Sequence, residues 1–305
     1  MTWFLIAIGA PFLWALVNIA DQYLVSKYSE GERGSGGLVL FSSFIGIFVA
    51  LGIAIFQGGL FDIPNLDKLL LVITGGLTIA WIVLYLWTLE LEDISAVAPW
   101  FLTVPIFGYI LGYLFLGENI NFHQKIGSLV VLGGLLLLSL DFSKKEKRSF
   151  KWRPALYMLI ACLMIAVMGI IFKYVTIEEN FWISSFWEYG GLGIFGILIY
   201  LFVPRYRKEF KYMNDKGGVR IFILNISSEI TTMVGNFLTN YALLLAPVVM
   251  VYFVGSFQPA IVLILSIIGT KFFPKIIQED ISQRVLIPKI IAIIIMTIGS
   301  FYLFF

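Results

Sequence analysis

Ten runs, each near the ~20 helical residues needed to cross a hydrocarbon core, pass almost without a charge. They lie at 3–24, 36–57, 68–89, 94–116, 122–140, 154–176, 181–203, 219–242, 246–270 and 285–305. A backbone in hydrocarbon must satisfy its own N–H and C=O groups, which leaves only helices and closed barrels. Barrel strands would appear as alternating ~10-residue segments, and these runs are continuous. The expected fold is therefore all-α and integral to the membrane, with ten transmembrane helices. The chain is 60% hydrophobic and 13% charged, against about 25% charged in soluble domains, and its mean hydropathy is +0.94. The first run outlasts a signal-peptide h-region and lacks a small-residue exit, so it reads as a span.

The same composition excludes most chemistry. One cysteine, Cys162, and one histidine, His123, leave no disulfide and no metal site of ordinary ligand count. No phosphate-binding GxxxxGK[ST], HExxH or GxSxG motif occurs. No cofactor, metal, catalytic residue or nucleic-acid partner is expected, and the protein is not read as an enzyme.

Lysine and arginine set the expected orientation. The loops after segments 1, 5, 7 and 9 hold 2 + 6 + 6 + 4 = 18 of the 21, and the opposite side holds Lys68, Lys125 and Lys173. The positive-inside rule puts those loops, including the basic stretches after segments 5 and 7, in the cytoplasm and both termini outside. This suits the cytoplasmic membrane of a prokaryote, with membrane lipid as an inevitable partner and a monomer or homodimer as the assembly.

The ten segments divide into two fives. Pro105 in segment 4 matches Pro259 in segment 9. Gly117-Glu118-Asn119-Ile120-Asn121 follows the first proline, and Gln278-Glu279-Asp280-Ile281-Ser282 follows the second. Lys125 and Lys289 then open apolar runs that end near Gly133-Gly134 and Gly299. Ala15 and Tyr23 recur, at the same spacing, as Ala166 and Tyr174. The expected division is a first five-helix repeat at 1–140, a basic linker at 141–153 and a second repeat at 154–305. Because five is odd, the copies are inverted about the membrane plane, an architecture that recurs in transporters with a midplane site between the copies. A purely structural bundle is the alternative.

The stretch VPIFGYILGYLFLGENINFHQKIG (104–127) resembles the EamA-type branch of the drug/metabolite transporter superfamily. A weaker second copy, from Phe257 to Ile290, departs by a seven-residue extension containing Phe272-Phe273-Pro274-Lys275. The resemblance implies a ten-helix basket around a central cavity that moves metabolites. It also implies that Glu118 is a signature of the fold rather than a substrate ligand.

Polar residues inside spans mark either a pathway or an interhelical hydrogen bond. In segment 8, Asn225, Ser228, Glu229, Thr232, Asn236 and Asn240 follow helical steps that put them on one stripe. An offset of 154 between the prolines pairs Thr74 with Ser228 and Thr78 with Thr232, and Trp81, Tyr85 and Thr88 continue the stripe on segment 3. Glu188 in segment 7, with Ser184 and Gly191 on its face, is expected near the depth of Glu229. The two acids would grip a cation or carry a coupling proton, with Lys173 or the substrate as counter-charge. A neutral acid hydrogen-bonded for packing is the alternative. Trp14, Asn18 and Gln22 on segment 1, with Asp21 beside them, and Tyr252, Ser256 and Gln258 on segment 9 complete the candidate lining. Pro105 and Pro259 are expected to kink their helices. The expected function is a secondary, ATP-independent transporter of a small polar metabolite, an amino acid or amine, working by alternating access. The alternative cargo is a nucleotide-sugar or lipid-linked sugar, and an acid-only intramembrane enzyme is the remote third reading.

Overall fold

The structure, a computed structural model, describes residues 2–28, 36–91, 97–139, 152–272 and 283–302. The chain runs through α1 (Thr2–Tyr28), α2 (Gly36–Phe56), α3 (Asn65–Leu91), a 3-10 turn (Ala98–Leu102), α4 (Thr103–Leu116), α5 (Phe122–Ser139) and α6 (Trp152–Thr176). It continues with α7 (Phe181–Phe202), α8 (Pro204–Leu245), α9 (Val248–Gly255), α10 (Gln258–Phe272) and α11 (Gln283–Tyr302). Among the described residues every regular element is helical. Six stretches have the length and apolarity to cross a membrane: Thr2–Ala20, Gly36–Phe56, Asn65–Thr88, Trp152–Thr176, Phe181–Phe202 and Val248–Gly269. Trp100–Leu116 and Leu286–Gly299 are shorter apolar helices. The Gln278–Ser282 motif and most of the 141–153 linker lie outside the described residues, as do the side chains of Asp21 and Gln22.

Three elements, α8, α4 and α10, differ from the sequence expectation. Helix α8 begins at Pro204, well before position 219, and has one non-helical residue, Gly218 (φ 62, ψ −174). Glycine carries no Cβ penalty at positive φ, so the polar stretch 204–217 forms its own half-helix ahead of the break. Neither of the two matched prolines kinks the middle of a helix. Pro105 stands in the first turn of α4, just after the 3-10 turn, and Pro259 is the second residue of α10. In a first turn the missing N–H costs nothing, and each proline follows a break in the helical path.

The motif after α4 has a local explanation. Gly117 caps α4 at φ 63, and the Glu118 N–H donates to Gly112 O at 3.1 Å. Asn121 Oδ1 then accepts from Gln124 N (2.8 Å) while Gln124 Oε1 accepts from Asn121 N (3.0 Å). This reciprocal pair is a capping box that starts α5.

Helix α1 packs on α8, α3 on both α6 and α7, and α2 on α7 and α8. Helix α4 packs on α6 and α9, α5 on α11, and α1 also on α9 and α10. Small residues set the closest crossings. A Cβ added to Gly191 of α7 would fall 2.5 Å from Val72 O of α3, and one on Gly46 of α2 would fall 2.7 Å from Tyr189 O. Without a hydrophobic drive between helices in lipid, close backbone approach of this kind carries association. The bundle's outer surface bears large apolar side chains such as Leu5, Phe48, Ile55 and Phe202, as a lipid-facing surface requires. Gly190, next to Gly191, has open space where a Cβ would sit. We expect Gly191→Ala to destabilise by about 1–3 kcal/mol through overpacking and Gly190→Ala to leave the unfolding midpoint in detergent unchanged or raised.

Candidate functional site

The polar stripe of α8 turns inward. Asn225 and Ser228 are buried and Glu229, Thr232, Asn236 and Asn240 are half-buried, whereas Ser227, Ile230 and Val234 on the other side are exposed. Burying polar groups in an apolar surround is costly unless they are hydrogen-bonded, and the stripe finds partners on two neighbouring helices. Glu229 Oε1 accepts a hydrogen bond from Ser42 Oγ of α2. Glu188 Oε2 of α7 accepts from Asn240 Nδ2 at 2.9 Å. Trp14 of α1 lies over Gly235, whose added Cβ would meet Trp14 Nε1 at 2.7 Å. Asn18, one turn farther along α1, is half-buried. Trp14, Glu188 and the α8 residues thus converge on one helix, with Ser42 as a fourth contributor.

Ser42 is not among the residues that spacing picks out. A signal for it does exist: Phe41-Ser42-Ser43-Phe44 in α2 has a counterpart, Ile183-Ser184-Ser185-Phe186, in α7. Ser43, Ser184 and Ser185 are buried.

The two acids do not share a depth. Asn240, which holds Glu188, is eleven residues from Glu229 on α8, about 16 Å at the helical rise. The expected similarity rested on counting Glu229 about ten residues, ~15 Å, from a segment start at 219 across a ~30 Å core, but α8 runs on past that depth to Leu245. Glu229 is thus sixteen residues, about 24 Å, from that end. Glu188 is only seven residues into α7, about 10 Å.

Lys173 is not the counter-charge of either acid. Its Nζ lies 2.6 Å from Glu118 Oε1 and donates to Ala246 O at 2.7 Å. The other carboxylate oxygen, Glu118 Oε2, accepts from Val248 N at 2.7 Å, at the start of α9. Lys173 and Glu118 are nearly buried, with side chains 11% and 12% exposed. The pair therefore ties the α4–α5 loop and α6 to the α8–α9 junction. Glu118 acts here as a structural residue.

The α3 residues gather elsewhere. Thr78 Oγ1 donates to Thr74 O at 3.0 Å and lies 3.8 Å from Met168 Sδ of α6. Trp81 and Tyr85 stack with Phe101 of the 3-10 turn, at ring separations of 6.4 and 5.6 Å. Tyr252 of α9 is wedged between Gly108 and Gly169, and its hydroxyl donates to Ile165 O at 3.0 Å. Ser256 Oγ bonds back to Tyr252 O. The candidate residues thus form two groups, one around α8 and one around the 3-10 turn and α6. A cavity of about 450 Å³ opens beside the first group, lined by Ile6, Asn180, Phe181, Trp182, Val234, Phe237, Leu238 and Tyr241. None of the expected lining residues is among these.

Apolar spanning helices with an inward polar stripe define a multi-pass integral membrane protein. Residues 1–140 match the family model of the EamA-like transporter family. Over those residues, somewhat less than half of the chain, it is similar to the EamA-like transporters, a family of the drug/metabolite transporter superfamily. No curated protein matches the chain. A solved structure described only as "Crystal structure of protein" is 13% identical, covering 99% of this chain and 96% of its own, with a TM-score of 0.71. At that identity the likeness is one of fold.

Removing one member of a buried ion pair leaves the other uncompensated, which costs about 3–5 kcal/mol. Lys173→Met is expected to lower stability by that order. Adding Glu118→Gln, which keeps an oxygen for Val248 N, should recover part of the loss. Unfolding midpoints of the two single variants and the double variant provide the cycle that checks it.

Proposed function

We propose that the protein is a secondary transporter that moves a small polar metabolite, an amino acid or amine, by alternating access of two inverted five-helix repeats. The repeats are 1–140 and 154–305, joined by the basic linker 141–153, with ten crossings in all. The packing supports this division. Exchange α1 with α6, α2 with α7, α3 with α8, α4 with the α9–α10 pair, and α5 with α11. The α1–α8 contact then becomes α6–α3, and α2–α8 becomes α7–α3. Likewise α4–α6 becomes the contact of α9–α10 with α1, while α2–α7, α5–α11 and α4–α9 map onto themselves. Inverted repeats of this kind bind substrate near the midplane.

The observation that carries the transport reading is the inward stripe of α8 with Glu229 at its centre. A carboxylate held by a hydroxyl deep in a span is expensive to keep there without a task. Trp14, Asn18, Thr78, Trp81, Tyr85, Glu188, Asn225, Ser228, Thr232, Asn236 and Tyr252 are the remaining candidates for contact with substrate during the cycle. Glu229 is the first candidate for proton coupling and Glu188 the second. Energy comes from the substrate or proton gradient, since no nucleotide-binding motif is present. The basic stretches after α5 and α7 face the cytoplasm of a prokaryotic cell, and the protein acts as a monomer or homodimer. Recognition of a nucleotide-sugar or lipid-linked sugar would call for cations facing its phosphates. Lys173, a buried lysine within a candidate span, is engaged by Glu118, which favours the amino acid or amine.

Uptake into proteoliposomes under an imposed pH gradient tests this, using a substrate picked by thermal-shift screening of amino acids, amines and nucleotide-sugars. Glu229→Gln should slow gradient-driven uptake about tenfold or more, a barrier change of at least ~1.4 kcal/mol. Uptake at the wild-type rate with unchanged pH dependence would remove Glu229 from coupling.

A further inference from the structure

The half-helix 204–217 at the start of α8 has no part in the candidate site. It reads Pro-Arg-Tyr-Arg-Lys-Glu-Phe-Lys-Tyr-Met-Asn-Asp-Lys-Gly, with five basic and two acidic residues, a net charge of +3. It begins one residue, Val203, after Leu201 and Phe202 of α7, which are 55% and 75% exposed and belong against lipid tails. It ends at the Gly218 break, beyond which the rest of α8 continues to Leu245. Seven charges in fourteen residues bar it from hydrocarbon, so it lies where hydrocarbon gives way to headgroups.

One side of this half-helix is docked onto the bundle. Phe210 packs against Phe41 and Phe44 of α2 and Tyr200 of α7, with ring separations of 6.5, 5.5 and 6.4 Å. Met213 is buried, and the Tyr206 ring closes over Gly36. Glu209 Oε2 accepts from the Gly36 N–H at 2.9 Å, an orphan donor in the first turn of α2 at the positive end of its dipole. Arg205 Nε donates to the other oxygen of Glu209 at 2.8 Å, while Arg207 lies over the Tyr200 ring. These contacts fix which way the helix faces.

The opposite side is basic. Lys208 and Lys211 are exposed, and the Arg205 side chain is 68% exposed; the three recur every third residue. Asp215, also exposed, shares this side nearer to Gly218. An amphipathic helix with lysine and arginine on its polar face, held at the depth of the headgroups, has the build of an interfacial lipid-binding element.

We propose that the face formed by Arg205, Lys208 and Lys211 docks anionic phospholipid headgroups. Their phosphates accept charge-assisted hydrogen bonds from guanidinium and ammonium groups. Docking of the opposite side leaves Lys208 and Lys211 exposed and the Arg205 side chain largely so, while the Arg205 Nε is held by Glu209. Through Glu209 the same half-helix holds the start of α2, so a seated headgroup steadies the helix whose Ser42 bonds to Glu229.

The test titrates fluorescent phosphatidylglycerol, and separately phosphatidylcholine, into the detergent-solubilised full-length protein. Wild type should bind phosphatidylglycerol more tightly. Each lysine near an anionic surface is worth about fivefold in association, so Lys208→Gln with Lys211→Gln should weaken that binding roughly twenty-five-fold. Phosphatidylcholine binding and the lipid-free unfolding midpoint should stay unchanged, because both side chains are exposed. Equal affinity for the two lipids, or a double variant that binds phosphatidylglycerol like wild type, would overturn the proposal. So would full displacement of the lipid by millimolar inorganic phosphate, which would mark a site for free phosphate.

Discussion

One buried ion pair holds the ends of several helices together. Glu118 and Lys173 meet at 2.6 Å, and each also binds backbone at the α8–α9 junction, through Val248 N and Ala246 O. Those two backbone groups lie where one helix has ended and the next is starting, so they have no helical partner of their own. In an apolar surround such orphan groups must be satisfied or they cost free energy. A carboxylate and an ammonium do this together, neutralising each other as they do. The arrangement explains why an acid follows the glycine cap of α4: Gly117 turns the chain at φ 63, and Glu118 is thereby aimed at α9.

The remaining polar groups follow from the same economy of partners. Helix α8 is flanked by α1, α2 and α7, so a stripe of amides, hydroxyls and an acid can be sheltered from lipid along most of its length. Ser42 reaches Glu229 from α2, and Glu188 reaches Asn240 from α7. The close crossings at Gly46, Gly75 and Gly191 bring α2, α3 and α7 near enough together for this. In the transport reading, these hydrogen bonds are what a substrate or proton would exchange for its own.

The six segments that meet the length and apolarity of a membrane span were legible because spans are long, apolar and bounded by charge. The inward stripe of α8 was legible because helical periodicity alone places Asn225, Ser228, Glu229, Thr232, Asn236 and Asn240 on one side. The half-helix at 204–217 was not, since its polar residues resemble a loop until Tyr206, Phe210 and Met213 find a surface to pack on. The depth relation of Glu188 and Glu229 was hidden because α8 beyond Gly218 is longer than the ~30 Å crossing assumed for segment 8. Lys173 was hidden more thoroughly, because its partner Glu118 is distant in the chain.

By itself, the sequence determined that the chain is a helical membrane protein, where its apolar helices lie and which face of α8 is polar. These follow from hydropathy and from the 3.6-residue period, both local properties. Only the tertiary structure decided the pairings: Glu118 with Lys173, Ser42 with Glu229, Asn240 with Glu188, and Glu209 with the start of α2. Each joins residues that are far apart in the chain, and nothing local selects one partner over another. The choice is made by which helices cross closely, and the glycines at those crossings set that distance.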